Sequence, residues 1–133
     1  MTHKPSIKSF LLADHVFRQD TGKWCVIGVF SKIFAQSVPA IHPTLGILLV
    51  ISDAEGDYEV RLEVRDPNDK VVTSMQGMRI GVRSRLDQAE FGMQTYRLPI
   101  PNWGRYYFKI YFNGEAADLD ATLDVVKVEA SNG

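Results

Sequence analysis

The chain has 133 residues, 45% hydrophobic and 23% charged, enough apolar mass for a buried core, which excludes disorder as the main state. Against a typical domain of roughly 150 residues, that length predicts a single domain over residues 1–133. Fifteen basic against sixteen acidic side chains leave a formal charge of −1, so neither nucleic acid nor an acidic membrane surface is expected as a partner.

Period-2 patterning recurs between turn signals, and no stretch sustains a helical stripe over three turns. The pattern predicts an all-β chain. A first strand is expected over residues 7–13, ended by a side-chain turn at Asp14 or His15. The second is expected over residues 23–33, where Trp24, Val26 and Phe30 form one apolar set and Cys25, Ile27 and Val29 the other. The third, residues 45–51, is apolar on both faces as well. A two-layer sandwich needs one apolar face per sheet, so these two segments require cover on a second face. Either the connections 31–44 or 14–22 fold across it, or a subunit or partner does, since monomers seldom leave apolar patches above roughly 300–600 Å² in water.

Further along, Tyr58, Val60, Leu62 and Val64 point one way and Glu59, Arg61, Glu63 and Arg65 the other, as in a half-buried antiparallel strand. Asp66-Pro67-Asn68-Asp69 turns the chain, and residues 70–74 return as the second strand of a hairpin. Strands follow at 78–83 and 91–98, loosened by Gly77, Gly81 and Gly92, with a helical turn as the alternative over 84–89. Asn113-Gly114 supplies a type I′ turn. Counting outward from it pairs Ile110 with Ala117, Phe108 with Leu119 and Tyr106 with Ala121, and on the other face Lys109 with Asp118 and Tyr107 with Asp120. The Val125-Val126 doublet ends the alternation and predicts a bulge or a change of sheet. About eight strands in one domain predict an antiparallel β-sandwich, immunoglobulin-like or C2-like.

Chemistry-bearing motifs are absent from this pattern, so neither catalysis nor a cofactor or metal is expected. Cys25 is the only cysteine, flanked by Trp24 and Val26, and reads as a buried structural thiol with no disulfide partner. Without an apolar leader core or a run longer than residues 47–51, a cytoplasmic setting is expected. His3, His15 and His42 show no metal spacing, and a hydrolase would need a cleft joining Asp14, His15 and His42. Two acidic turns, Asp53, Glu55 and Asp57 and then Asp66, Asn68 and Asp69, carry the oxygen ligands Ca²⁺ prefers. They flank one strand, roughly 26 Å apart at strand rise, and so read as solvated turns. Tyr107 and Tyr111 share an outward set with Arg105 and Lys109, and Trp103 sits in the preceding turn. Such aromatics suit protein interfaces and stacking on sugars.

Taken together, Leu12-Ala13-Asp14-His15, the run from Gly22 to Phe30, Ile41-His42-Pro43, Val64-Arg65-Asp66-Pro67 and Gly104-Arg105-Tyr106-Tyr107-Phe108 resemble a family of small bacterial proteins of unknown function. The resemblance implies a bacterial, cytoplasmic, immunoglobulin-like sandwich and brings no catalytic residue with it. The expected function is a non-enzymatic protein–protein interaction or accessory module that self-associates or meets a protein partner. Its candidate surface is Trp24, Val26, Phe30, Trp103, Tyr107 and Tyr111. The alternative is a ligand-binding sandwich taking carbohydrate through Trp103, Tyr107 and Tyr111, or Ca²⁺ through the acidic turns.

Overall fold

Alternation of apolar and polar side chains sorts the strands into two facing layers. The computed structural model describes residues 4–129. Its strands are β1 (Ser6–Arg18), β2 (Trp24–Val29), β3 (Lys32–Ala35), β4 (Ala40–Ser52), β5 (Gly56–Arg65), β6 (Val71–Val82), β7 (Ala89–Ile100), β8 (Gly104–Phe112), β9 (Glu115–Ala116) and β10 (Ala121–Lys127). One sheet runs β2-β1-β4-β7 and the other β3-β10-β8-β5-β6, with β9 added to β8. Among the described residues β3 and β10 form the one parallel pair.

The core lies between the inner faces, where Tyr58, Val60, Leu62 and Val64 of β5 and Tyr106, Phe108, Ile110 and Phe112 of β8 meet Leu45, Ile47, Leu49 and Ile51 of β4, all buried. Each such side chain contributes about 1.5–3 kcal/mol by leaving water. Two tyrosines fasten loops to this core. The Tyr106 hydroxyl donates to the Asn102 carbonyl at 2.8 Å and accepts from the Asn102 amide at 3.0 Å. The Tyr58 hydroxyl does the same at Glu55, at 2.9 and 2.8 Å. The β5–β6 turn forms as its sequence predicts: buried Asp66 accepts the Asn68 and Lys70 amides, each at 2.9 Å.

Several local expectations are corrected. Residues 23–33 form two strands in opposite sheets, because the chain crosses between layers at Phe30 and Ser31, just past Gly28 with its positive φ of 74°. Residues 84–88 form a turn closed by the Asp87 amide on the Ser84 carbonyl at 3.0 Å and Ala89 already opens β7, so the alternative of a helical turn over 84–89 is not taken. Val125 and Val126 continue β10 without bulge or sheet change, pairing with Ile33 and Phe34 of β3.

The C-terminal hairpin keeps its turn but not its whole register. Phe112 pairs with Glu115, Tyr111 with Ala116, and the Ala117 amide reaches the Ile110 carbonyl. Beyond that the chain makes an excursion over residues 117–120, and β10 rejoins β8 two residues out of step. Phe108 therefore faces Ala121 rather than Leu119, and Tyr106 faces Leu123 rather than Ala121. Lys109 binds Asp120 at 2.9 Å instead of Asp118, and Tyr107 stands opposite Thr122. Asp118 accepts the Ile7 amide at 3.0 Å, which anchors the excursion on β1. A slip of two preserves which face each side chain occupies.

Cover for the second apolar face comes from the chain itself. Ala13 is the last residue of β1 paired with β4, and from Ala13 onward β1 pairs with β2. This β1–β2 arm folds over the outer face of β4 and β7. A Cβ at outward-facing Gly46 would lie 2.7 Å from the Val16 amide nitrogen, and one at Gly92 would collide with the Trp24 ring. The Gln94 side chain on β7 accepts the Val16 amide at 3.0 Å and donates to the Asp14 carbonyl at 3.3 Å.

Candidate functional site

Strand alternation decides what the arm shows to solvent. Val16, Val26 and Trp24 belong to its inner side: Val16 is buried, and Trp24 and Val26 are half-buried. Phe30 is likewise half-buried, packed against the core and 5.6 Å from the His42 ring. Three of the six candidate surface residues therefore hold the arm down. The opposite side of the arm carries Phe17, Ile27 and Val29, exposed by 45%, 53% and 61%, with half-buried Cys25 paired to Phe17. The same alternation puts His15, paired with Ile27, on this open side.

The other three candidates do not form one platform. Trp103 packs on the margin of the core, its indole N–H donating to the Ala35 carbonyl at 3.1 Å and its ring under Lys127 at 5.0 Å. Tyr107 and Tyr111 stand on the outer face of β8 within a lattice of charges. Arg61 lies 4.1 Å over the Tyr111 ring, and Glu63 receives Arg65 at 3.1 Å and Arg61 at 3.4 Å. Arg65 also meets Asp69 at 3.1 Å, and Arg105 grips Asp124 with two bonds of 2.7 and 3.2 Å. Burial raises the Glu63 carboxyl, but bonds from Arg65 and Tyr111 and the Arg65 and Arg61 charges outweigh it and hold it below the ordinary range. The Arg105 bond likewise lowers Asp124, and the Asp120 bond raises Lys109. The charges of this face are thus largely paired with one another by charge-assisted bonds.

Three carboxylates of the acidic turns meet protein donors. Asp53 binds Arg85 at 2.7 Å, Asp66 serves its own turn, and Asp69 serves Arg65. Among the described residues no three His, Cys, Asp or Glu side chains gather where they could hold a metal ion.

A cleft of about 280 Å³ opens where the arm meets β3 and β4, walled by Asp14, Gly28, Phe30, Lys32 and His42. It joins Asp14 to His42 but leaves His15 on the far side of the arm, and no Ser, Thr or Cys lines it. His3 lies outside the described residues. In sequence 27 residues intervene between Asp14 and His42 and neither carries a spacing signal, so they come together only as part of the cleft a hydrolase would need. The one clue was Gly28, whose bare α-carbon the Asp14 carboxylate rests against.

A family model described as a family of unknown function (DUF6941) matches residues 8–125. No curated protein matches the chain in sequence. Among solved structures the chain is similar to the crystal structure of the C-terminal domain of Wzt, with a TM-score of 0.52 and 15% identity, covering 100% of this chain and 81% of that one. At that identity the likeness speaks for the fold, a β-sandwich. No helix among the described residues is long and apolar enough to cross a membrane.

Proposed function

We propose that this chain, which belongs to the DUF6941 family of unknown function, is a non-enzymatic interaction module that pairs with a second copy of itself through the edge of its β1–β2 arm. The observation that carries this reading is strand β2. It ends its sheet, yet Trp24–Val29 contains no charged residue and no proline. Edge strands are ordinarily blunted by charge, proline or cover, because their free amides and carbonyls recruit other strands. The other three edges follow that rule, with Lys32 in β3, Arg79 in β6, and Glu90, Arg97 and Pro99 in β7.

Antiparallel pairing of two β2 edges across a two-fold axis uses the same patch on both copies. It also draws Ile27 and Val29 of each copy away from water. A reducing cytoplasm suits this reading, since lone Cys25 on the same strand then remains a thiol.

Light scattering coupled to size exclusion, run over a wide concentration range, tests the proposal. The wild type is expected to run as a dimer and Ile27→Lys as a folded monomer with an unchanged circular dichroism spectrum. A wild type that stays monomeric at every concentration would sink the idea, as would a dimer that Ile27→Lys leaves intact.

A further inference from the structure

Two turns that the chain pins with its own side chains flank an open cavity of about 490 Å³ at the ends of β6 and β7. One is the β5–β6 turn, held by Asp66 through the Asn68 and Lys70 amides. It also presses on β8, where a Cβ at Gly104 would lie 2.8 Å from Pro67 Cγ. The other is the β7–β8 turn, held at Asn102 by the Tyr106 hydroxyl. β7 ends its sheet on the side opposite β2, and the cavity shares no residue with the edge assigned to self-association.

The cavity holds one carboxylate oxygen that the chain leaves unused. Asp66 is only 3% exposed, and both of its turn bonds go to Oδ1. Among the described residues, the side-chain atoms that are both sealed from solvent and unpartnered are His42 Nε2 and Arg65 Nε. Asp66 Oδ2 is unpartnered but not sealed, and because Asp66 lines the cavity, that opening is where a guest reaches it.

The amides around this oxygen are missing or already taken. Pro99 and Pro101 carry no amide hydrogen, the Asn102 amide serves Tyr106, and those of Asn68 and Lys70 serve Asp66 Oδ1. A guest must therefore bring the donor, and a carboxylate is met most strongly by a cationic N–H group. Lys70 lines the same cavity, and its ammonium forms no ion pair among the described residues, with Asp66 or with any other carboxylate. Anion and cation are thus both available to one molecule of opposite polarity. Val71, Val72, Pro99 and Pro101 supply an apolar wall between the two turns, and the volume falls within the range of small-molecule sites.

We propose that this cavity binds a free α-amino acid with an apolar side chain. Its ammonium donates to Asp66 Oδ2, its carboxylate meets Lys70, and its side chain lies against the two valines and two prolines.

Nuclear magnetic resonance titration of the full chain tests this with leucine, with N-acetyl-leucine, which lacks the ammonium, and with leucine amide, which lacks the carboxylate. Leucine is expected to give saturable shifts of the Val71, Val72 and Asn102 amides, and each derivative to bind about tenfold more weakly or worse, as loss of a charged hydrogen bond implies. Asp66→Asn keeps an oxygen for the two turn amides but puts a donor where Oδ2 accepts, and should abolish the response. Lys70→Glu alters an exposed side chain that the fold does not use, so it tests the site without touching the turn bonds, and should weaken leucine binding about tenfold. No saturable shift with leucine, equal binding of either derivative, or an unchanged response in folded Lys70→Glu would overturn the proposal.

Discussion

The indole of Trp24 occupies the space that a side chain at residue 92 would fill, so β2 is seated on a glycine of β7, three places away in the sheet order. The demand at Gly92 is for room. Replacing it with valine drives a branched side chain into the ring and should lower stability by about 1–3 kcal/mol, as overpacking does. A reduced urea midpoint with red-shifted tryptophan emission is the expected reading in Gly92→Val. An unchanged midpoint would mean that the arm does not rest there.

The Gln94 side chain does for the arm what a neighbouring strand would do, accepting from the Val16 amide and donating to the Asp14 carbonyl. In Gln94→Leu the amide of buried Val16 is left without its partner, at a cost of about 1–3 kcal/mol. Hydrogen exchange locates the damage: protection should fall at Val16 while the amides of β5 and β8 keep theirs. Uniform loss across the molecule would instead show the arm and core opening as one unit.

Tyr106 offers a comparable test inside the core. Its hydroxyl both donates to the Asn102 carbonyl and accepts from the Asn102 amide, so one oxygen closes the β7–β8 turn. Tyr106→Phe keeps the ring and loses both bonds, which should remove about 1–3 kcal/mol from the unfolding free energy in urea. A difference near zero would assign the turn's hold to Trp103 and its bond to Ala35.

How far the sequence carried can be read from individual residues. Tyr58 to Val64 alternate with Glu59 to Arg65, and that pattern yields β5 and its buried face, while Asp66-Pro67-Asn68-Asp69 yields the turn that follows. The C-terminal hairpin was legible in parity but not in register, because a period of two is blind to a shift of two. The arm was legible only as a choice. Trp24–Val29 has equal apolar sets, and nothing local says which set meets the β4–β7 face. Gly46 and Gly92, which resolve it, look in sequence like weak points in their strands, yet the structure uses them as seats for Val16 and Trp24. Tyr111 faces outward as its alternation requires, but the sequence does not show that Arg61 covers its ring. Asp14, His15 and His42 can be named together in sequence only as a condition; spacing does not show that the folded-back arm brings Asp14 to His42 and sends His15 to its far side.

Glu63 gives the fold a predictable acid limit. Burial alone would raise its carboxyl, but the bonds from Arg65 and Tyr111 and the Arg65 and Arg61 charges win, and its folded value lies below the ordinary one. Between the folded and unfolded values the unfolded chain binds more protons, so stability rises with pH across that window. The contribution is complete above the unfolded carboxylate value of about 4.3 and is lost as pH falls through the folded value. His42 has the same sign at higher pH: burial lowers its folded value, so protonation below about pH 6.5 also favours unfolding. Urea midpoints measured from neutral pH downward should therefore show a steep acid limb in the wild type. In Glu63→Gln the limb below about pH 4.5 should flatten, because residue 63 no longer takes up a proton on unfolding. The variant should also be less stable at neutral pH, since Arg61 and Arg65 lose the anion they share. A limb equally steep in both proteins would shift the acid response to other carboxylates, with Asp124 beneath its Arg105 bond the first to test.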